Sequence, residues 1–174
     1  FHISLQAGNN IILKRMKRRH SREMVIDFCN KVLSKRKDAT FGADIIAGFP
    51  TETDEMFNDT LDLVDKCHLT HLHVFPYSAR QDTPAARMPQ IDKSIIKNRA
   101  RILREKGLKK FKEHLLKKVG EKDSILVEKN ENKKSIGKDK NFFKAIFNEE
   151  IKEGNIIPCK YIGIENDMLV AKRI

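Results

Sequence analysis

Three segments combine small, backbone-exposing residues with polar side chains at points where strands are predicted to end. They are Leu5–Asn10, Gly48–Thr53 and Phe75–Arg80. Ligands of parallel sheets bind beyond the carboxyl ends of the strands, where glycine permits close approach and amide, phenol and guanidinium groups contact a ribose or a base. This composition predicts a nucleotide-type ligand. Ordinary turns between strands and helices have similar sequences, so spacing alone leaves both interpretations open.

Strand and helix signals alternate through the first part of the chain. Strands are predicted over Phe1–Leu5, Thr40–Phe49 and Leu69–Phe75, and helices over Ile11–Lys17 after a cap at Asn10, from Ser21, from Thr53, and from Asp92 to about Lys118. This alternation predicts βαβ units and a parallel sheet. Three strands are only part of such a sheet, so we expect further sequence before Phe1, where the chain opens within a strand, or a partner chain at the sheet edge. A processed mature chain is the alternative.

The pattern changes after Gly120. Short strand candidates alternate there with polar stretches, at Ser124–Glu128, Phe142–Phe147, Ile156–Gly163 and Met168–Ala171. Short strands with regular turns predict a small all-β barrel or sandwich. We therefore predict two domains, 1–119 and 120–174.

The net charge of +11 is concentrated in the first domain. Residues 1–119 hold 24 Lys+Arg and 14 Asp+Glu, whereas residues 120–174 hold 11 and 10. Such a field favours a polyanion, although charge alone is equally compatible with an ordinary basic surface. Eight basic residues are candidate RNA contacts: Lys14, Arg15, Lys17, Arg18, Arg19, Arg99, Lys109 and Lys110. A solvated amphipathic helix is the alternative for those in the long helix, whose apolar stripe is predicted as Ile95, Ile102, Leu103, Leu108, Phe111 and Leu115.

The cysteines and histidines show no metal-ligand pattern. Cys29, Cys67 and Cys159 are far apart, which argues against a disulfide framework or a local metal motif. His71 and His73 would share one strand face, but the pattern places no third ligand, so we predict no metal site. No apolar run reaches the roughly 18 residues of a membrane helix, and no secretory signal is present, so a cytoplasmic protein without a membrane partner is predicted.

Four segments resemble the motifs of radical-SAM (S-adenosyl-L-methionine) methylthiotransferases. His2–Asn9 resembles H-x-x-L-Q-S-G, Leu13–Arg18 resembles L-x-x-M-x-R, Asp44–Thr53 resembles D-x-I-x-G-F-P-G-E-T, and His73–Ala86 resembles H-x-F-x-Y-S-x-R-x-G-T-x-A. The match covers nearly the whole chain in order. The sequence of His73–Arg80 is similar to that of the branch that modifies threonylcarbamoyladenosine in tRNA. The C-terminal part resembles a TRAM domain, the small β-barrel that these enzymes use on RNA.

The resemblance implies a fold, cofactors and an activity. The fold is α/β, a partial (half) parallel βα barrel of radical-SAM type followed by a TRAM-like barrel. The activity adds a methylthio group to C2 of the modified adenosine at tRNA position 37. By the same resemblance the SAM-binding residues are Gln6, Gly8, Asp44, Gly48, Phe75, Tyr77, Ser78 and Arg80, and the chain contributes no catalytic residue.

The chain departs from the family at three motif positions and lacks its cluster ligands. Ala7 replaces Ser, Thr51 replaces Gly, and Asp82 replaces a Gly, which makes that turn less able to adopt positive φ. The C-x-x-x-C-x-x-C loop for the [4Fe–4S] cluster and the second, N-terminal cluster are absent from the sequence. We therefore expect the chain alone to be an incomplete enzyme, either nonfunctional or completed by a separate N-terminal piece. The alternatives are a stand-alone tRNA-binding module and a piece of an unrelated βα-barrel isomerase, for which no acid–base pair stands at a strand end.

Overall fold

The computed structural model describes all 174 residues, in two compact units, Phe1–Lys110 and Phe111–Ile174. The elements are β1 (His2–Gln6), α1 (Asn10–Arg15), α2 (Arg22–Lys35), β2 (Phe41–Ala47), α3 (Asp54–Lys66), β3 (Leu69–Pro76), a short 3-10 helix (Pro84–Arg87), α4 (Lys93–Lys118), β4 (Lys122–Glu131), β5 (Lys134–Lys138), β6 (Lys144–Phe147), β7 (Ile156–Glu165) and β8 (Met168–Arg173). The predicted mixed architecture is confirmed, with a parallel sheet first and a closed β-barrel after it.

The three strands of the first unit form a parallel sheet in the order β1–β2–β3. Because side chains alternate along a strand, the register gives the sheet two different faces. One face carries Ala43, Ile45 and Val74, which are buried in a core with residues of α2, α3 and α4. The opposite face pairs Asp44 with His73 and Ile46 with Phe75. The helices therefore cover the apolar face, and the polar face carries the groups that can meet a ligand.

Side-chain caps fix the starts of three helices where they were predicted. Ser21 accepts from the backbone N–H of Met24, Thr53 from that of Met56, and Asp92 from that of Ser94. Each short polar side chain satisfies an N–H group that has no partner within its helix.

The predicted cap of α1 was one residue wrong. Asn9 caps this helix, since its side-chain oxygen accepts from the N–H groups of Ile11 and Ile12. The neighbouring Asn10 points its amide at Glu23 and accepts from the N–H of Arg22 instead. Two consecutive Asn residues cannot be told apart by propensity, and the position of α2 decides between them.

The second unit is a closed barrel with strand order β4–β5–β6–β8–β7. All pairs are antiparallel except β6–β8, which is parallel. Its core contains Ile125, Val127, Phe143, Ala145, Phe147, Ile151, Cys159, Tyr161, Leu169 and Ala171, together with Leu115 from α4. Strand β5 was not predicted, because its lysines and Gly137 weaken the strand pattern. A Cβ at Gly137 would lie 2.1 Å from the carbonyl oxygen of Leu126, so only glycine allows β4 this close.

The buried face of α4 differs from the predicted stripe. In the first unit it consists of Ile96, Ala100 and Leu103, whereas Ile95 and Leu108 are 44% and 48% exposed. The division between the units falls inside α4, between Lys110 and Phe111, and the distinct roles of 1–119 and 120–174 stay a prediction. None of the α-helices combines the length and the apolar composition that crossing a bilayer requires.

Candidate cofactor site at the strand ends

A cavity of about 490 Å³ lies at the carboxyl ends of the strands in the first unit. Its walls are formed by Gln6, Asp44, Ile46, Phe75, Pro76, Tyr77, Ser78, Arg80, Thr83 and Ala85. Six of the eight predicted SAM-binding residues are among them, and Gly8 and Gly48 are not. The volume lies within the roughly 300–1,000 Å³ that small-molecule sites occupy. Two of the three strand-end segments, Leu5–Asn10 and Phe75–Arg80, therefore meet at one concave site, whereas no residue of Gly48–Thr53 lines it.

Backbone contacts hold the segment after β3 against the sheet. The N–H of Tyr77 donates to the carbonyl of Ala47, 2.9 Å away, which continues the pairing of β2 with β3. Further on, the hydroxyl of Thr83 donates to the carbonyl of Arg80 at 2.8 Å. On the neighbouring strand, Gln6 ends β1 at a φ of +70°, beyond an irregularity in the register. The cavity wall is thus fixed by main-chain geometry on two strands.

The hydroxyl of Tyr77, in this wall, has no hydrogen-bond partner within the chain. Its oxygen is buried, while its ring packs edge-on against Phe49 with centroids 5.4 Å apart. A buried hydroxyl without a partner costs free energy, about 1–3 kcal/mol, which a polar ligand atom removes. SAM has ribose, adenine and amino-acid groups that donate and accept, so the cavity fits such a cofactor.

Gly8 and Gly48 have packing roles next to the cavity. A Cβ at Gly8 would lie 2.4 Å from the Cα of Thr60 in α3, and the Gly8 N–H donates to the Thr60 hydroxyl. Gly48 has a φ of +76°, and a Cβ there would lie 2.6 Å from the side chain of Ile96. At both positions the absence of a Cβ lets a helix pack directly against the backbone, so neither glycine exposes the backbone to solvent. Their assignment to SAM stays a prediction, for which the structure supplies no cavity contact.

Arg99 was wrongly predicted as an RNA contact. It is 5% exposed, and its guanidinium donates to the carboxylate and the carbonyl of Glu52, both at 2.9 Å, and to Asp54 at 2.7 Å. Glu52 in turn accepts from the Gly48 N–H at 3.0 Å. Burial raises the pKa of Glu52, and the nearby positive charge of Arg99 opposes that rise. Arg99 therefore holds the Gly48–Asp54 loop and is unavailable to a phosphate.

The remaining RNA candidates divide into one cluster and two helix residues. Lys14, Arg15, Lys17, Arg18 and Arg19 are all exposed at the end of α1, where Lys17, Arg18 and Arg19 border a depression of about 460 Å³ together with His20 and Met24. In α4, Lys109 is exposed, and Lys110 forms an ion pair with Asp65 at 2.7 Å. The α1 cluster is thus a continuous basic surface, whereas Lys110 already has an anion. RNA contact by these residues stays a prediction.

Three potential metal ligands, two imidazoles and one carboxylate, meet on the polar face of the sheet, and sequence reasoning missed this group. One carboxylate oxygen of Asp44 lies 2.9 Å from His2 Nε2 and 3.4 Å from His73 Nδ1. Divalent transition metals accept two imidazoles and one carboxylate, and the same atoms also satisfy one another directly. Gly42, which pairs with His2, leaves room for the His2 ring, since a Cβ there would lie 3.0 Å from its Nδ1. Of the two histidines weighed from the sequence, His73 is in this group and His71 is not.

All three cysteines are buried. Cys29 and Cys67 hydrogen-bond each other, and this contact together with burial raises the pKa of Cys67. Burial raises the pKa of Cys159, in the other unit, to about 11. Iron–sulfur clusters need several adjacent thiolates. Two of the three cysteines are in contact and the third lies in the other unit, and the expectation that the chain holds no cluster ligands stays a prediction.

Two of the motif departures adopt a left-handed backbone conformation. Thr51 has a φ of +68° and Asp82 a φ of +64°. Asp82 was expected to make positive φ less accessible to its turn, but the turn adopts positive φ at this residue. Asp tolerates the left-handed region better than the β-branched Thr does. Thr51 gains a compensating contact, because Arg15 donates to its hydroxyl at 2.5 Å.

Comparison with known proteins places this site in a family. Residues 1–64 match the model of the Radical SAM superfamily. Over 165 residues the chain is 48% identical to the threonylcarbamoyladenosine tRNA methylthiotransferase MtaB of Rickettsia prowazekii, a match that covers 95% of this chain and 38% of that protein. The MtaB of Aquifex aeolicus is 38% identical over 75% of this chain and 32% of its own length. The tRNA-2-methylthio-N(6)-dimethylallyladenosine synthase of Pelotomaculum thermopropionicum is 42% identical over 74% of this chain and 29% of its own length.

The matched model places residues 1–64 in the Radical SAM superfamily. Within that superfamily, the chain belongs to the tRNA methylthiotransferases, as the relatives from Rickettsia, Aquifex and Pelotomaculum show. The chain spans less than two fifths of the length of each of these relatives.

Proposed function

We propose that this chain is the SAM- and RNA-facing part of an enzyme that adds a methylthio group to C2 of threonylcarbamoyladenosine in tRNA. The observation that carries the proposal is the strand-end cavity, where three separate motif segments supply Gln6, Asp44 and the Phe75–Arg80 wall. The similarity to two proteins named threonylcarbamoyladenosine tRNA methylthiotransferase supports this nucleoside over the dimethylallyl one.

The residues of the cavity have distinct tasks in this proposal. Gln6 and Asp44 hydrogen-bond the ribose and methionine groups of SAM, Phe75 to Ser78 hold the adenine, and Arg80 orients a carboxylate or the RNA backbone. SAM and a [4Fe–4S] cluster supply radical chemistry when bound. The chain positions the cofactor and excludes water from it.

The chain by itself is an incomplete catalyst in this proposal. The burial of its cysteines in α2, at the end of α3 and in β7 supports this. A further protein segment must supply the cluster and complete the partial barrel of residues 1–119. Residues 120–174 act as a TRAM-like RNA-binding barrel, and the enzyme works in the cytoplasm on tRNA.

Direct SAM binding tests the cavity. Equilibrium dialysis of labelled SAM against the purified chain is expected to show saturable binding. Tyr77→Phe, which removes the unpaired hydroxyl, weakens binding by about tenfold, in line with one buried hydrogen bond. Tyr161→Phe, the matched change in the barrel, leaves binding unchanged. Equal affinity of the wild type and Tyr77→Phe would remove Tyr77 from the cofactor site.

Methylthio transfer needs a second measurement. In a bacterial strain without this activity, the chain alone is expected to produce no 2-methylthio nucleoside, as judged by mass spectrometry of digested tRNA. Co-expression with the portion of the Rickettsia relative that this chain does not match is expected to restore the nucleoside. A [4Fe–4S] absorbance on the chain alone after anaerobic reconstitution would contradict the incomplete-catalyst proposal.

A stand-alone RNA-binding module is the second candidate function. The exposed basic cluster at the end of α1 favours it, since lysine and arginine side chains there need no cofactor to meet phosphates. This function predicts salt-sensitive tRNA binding without SAM binding. Failure to bind tRNA at low salt would exclude it.

A further inference from the structure

Phe142 is the most exposed large apolar side chain of the protein. It lies between β5 and β6 and is 75% exposed, whereas the next residue, Phe143, is fully buried in the barrel core. Its φ is +67°, a backbone conformation that bulky residues rarely adopt. Folding thus gains little from this ring and carries a backbone cost at the same position. Such a residue fits a role in binding better than a role in stability.

The loop that carries Phe142 is held rigidly from below. One carboxylate oxygen of Asp139 accepts from the N–H groups of Asn141 and Phe143, at 2.8 and 2.9 Å. The N–H of Phe142 donates to the Asp139 carbonyl at 3.0 Å. The other Asp139 oxygen binds the Lys118 ammonium at 2.8 Å and accepts from the Tyr161 hydroxyl at 3.3 Å. The backbone that carries the exposed ring is therefore fixed, which lowers the conformational entropy lost when a partner binds.

Three lysines lie close to this ring in the sequence. Lys138, Lys140 and Lys144 are within four residues of Phe142; Lys138 forms an ion pair with Glu128 at 3.0 Å, and Lys140 and Lys144 are exposed. The one acidic residue of this segment, Asp139, is buried and already bound to Lys118. An exposed aromatic ring beside ammonium groups is the arrangement by which proteins stack an unpaired nucleobase while binding the adjoining phosphates.

We propose that Phe142 is a stacking platform for an unpaired base of RNA, with Lys140 and Lys144 beside it on the phosphates. This inference rests on the proposed action on tRNA and adds a specific residue and a specific feature of the RNA, a base outside a helix. The other strongly exposed apolar residues of the barrel, Ile156, Ile162 and Ile174, are aliphatic and have no π face.

The absence of tryptophan from the sequence provides a direct probe. In Phe142→Trp, the introduced indole is the single tryptophan, so its fluorescence reports stacking at this position. Titration of the full chain with single-stranded oligoadenylate is expected to quench that fluorescence saturably. Double-stranded RNA of equal length is expected to bind through phosphates without comparable quenching, because its bases are already stacked.

Affinity measurements separate the ring from the backbone. Phe142→Ala and Phe142→Leu are each expected to weaken binding of single-stranded RNA by roughly tenfold. Glycine adopts positive φ without strain, so Phe142→Gly is expected to keep the fold and to lose as much affinity as Phe142→Ala. Ile156→Ala serves as the matched exposed control without effect. Lys144→Gln lowers the slope of log affinity against log salt by about one, whereas Phe142→Ala leaves that slope unchanged.

Three results would overturn the inference. Equal affinity of the wild type, Phe142→Ala and Phe142→Gly, with unquenched Phe142→Trp, removes the stacking role while leaving RNA binding by the rest of the chain intact. Loss of all RNA binding by the wild type removes the RNA part of the proposed function as well. Quenching of Phe142→Trp that depends on protein concentration without RNA assigns the ring to contact between copies of the chain.

Discussion

Arg99 and Lys118 are both buried cations of α4, and each fixes one loop in a different unit. In the α/β unit, Arg99 binds Glu52 and so holds the Gly48–Asp54 loop, whose Phe49 supports Tyr77 in the cavity wall. In the barrel, Lys118 binds Asp139 and so holds the loop that displays Phe142. A buried ion pair thus fixes a loop beside a cavity in one unit and a loop with an exposed aromatic ring in the other.

The surroundings of the two cations differ. Arg99 shares its charge between Glu52, whose side chain is 1% exposed, and Asp54, whose side chain is 88% exposed. Lys118 lies between Asp139 and Asp123, whose side chains are 0% and 14% exposed, and over the rings of Phe143 and Tyr161. Burial and the neighbouring carboxylates also raise the pKa of Tyr161. The barrel pair is therefore closed to water, whereas the α/β pair has one solvated partner.

The largest effect is expected from Lys118→Met. It leaves the Asp139 carboxylate buried without its cation and is expected to destabilise the protein by about 3–5 kcal/mol in urea unfolding. The double variant Lys118→Met/Asp139→Asn keeps the oxygen that accepts from the loop N–H groups and removes the unpaired charge. It should recover more than half of the loss. An equal loss in the two variants would contradict this explanation.

Arg99→Met sharpens the comparison. It is expected to lower the free energy of unfolding by about 2–3 kcal/mol, less than Lys118→Met does, and by an amount that depends on pH. Asp54 remains solvated in this variant, and Glu52 can take up a proton. The cost therefore shrinks as the pH falls, as measured by urea unfolding between pH 4 and about pH 7. A cost that is equal to that of Lys118→Met at every pH would show that the exposure of Asp54 does not matter.

Gly137→Ala tests the close approach of β4 and β5. The added Cβ would meet the Leu126 carbonyl, so a loss of about 1–3 kcal/mol is expected by thermal or urea unfolding. Gly163→Ala is the matched control within the same barrel, because nothing lies within 4 Å of the added atom. A similar loss in both variants would point to backbone flexibility instead of packing.

Glu52→Gln isolates the pH dependence of the α/β pair. A carboxyl whose pKa is raised on folding contributes stability that is full below its unfolded pKa and is lost as the pH rises through the folded pKa. The stability of the wild type relative to Glu52→Gln is therefore expected to fall as the pH rises above about 4.5. Urea unfolding of both variants gives this difference directly, since their other carboxyl groups cancel. A flat difference would indicate that Arg99 fully offsets the burial.

The smallest effect is expected from the two glycine replacements. Thr51→Gly relieves a β-branched residue at positive φ, and a gain of about 0.5–1 kcal/mol is expected despite the lost contact with Arg15. Asp82→Gly should change stability by less than about 0.5 kcal/mol, since Asp tolerates this region. Differential scanning fluorimetry distinguishes the two. Destabilisation by Thr51→Gly would show that the Arg15 contact outweighs the strain.

Local sequence determined the features that depend on near neighbours in the chain. The caps at Ser21, Thr53 and Asp92 follow from a short polar side chain next to its own helix. The run Thr40–Phe49, which contains β2, was recognisable as a buried parallel strand because it is mostly apolar. The motif segments also named six residues of the cavity, since strand ends in a parallel sheet meet at one edge.

Only the tertiary structure decided the features that depend on register and packing between distant elements. Arg99 is basic and helical like Lys109, but it alone faces Glu52 and Asp54, 47 and 45 residues away. The meeting of His2, Asp44 and His73 requires the pairing of three strands. Phe142 and Phe143 are the same residue type side by side. A single reversal of φ at Phe142 sends one ring to solvent and leaves the other in the core.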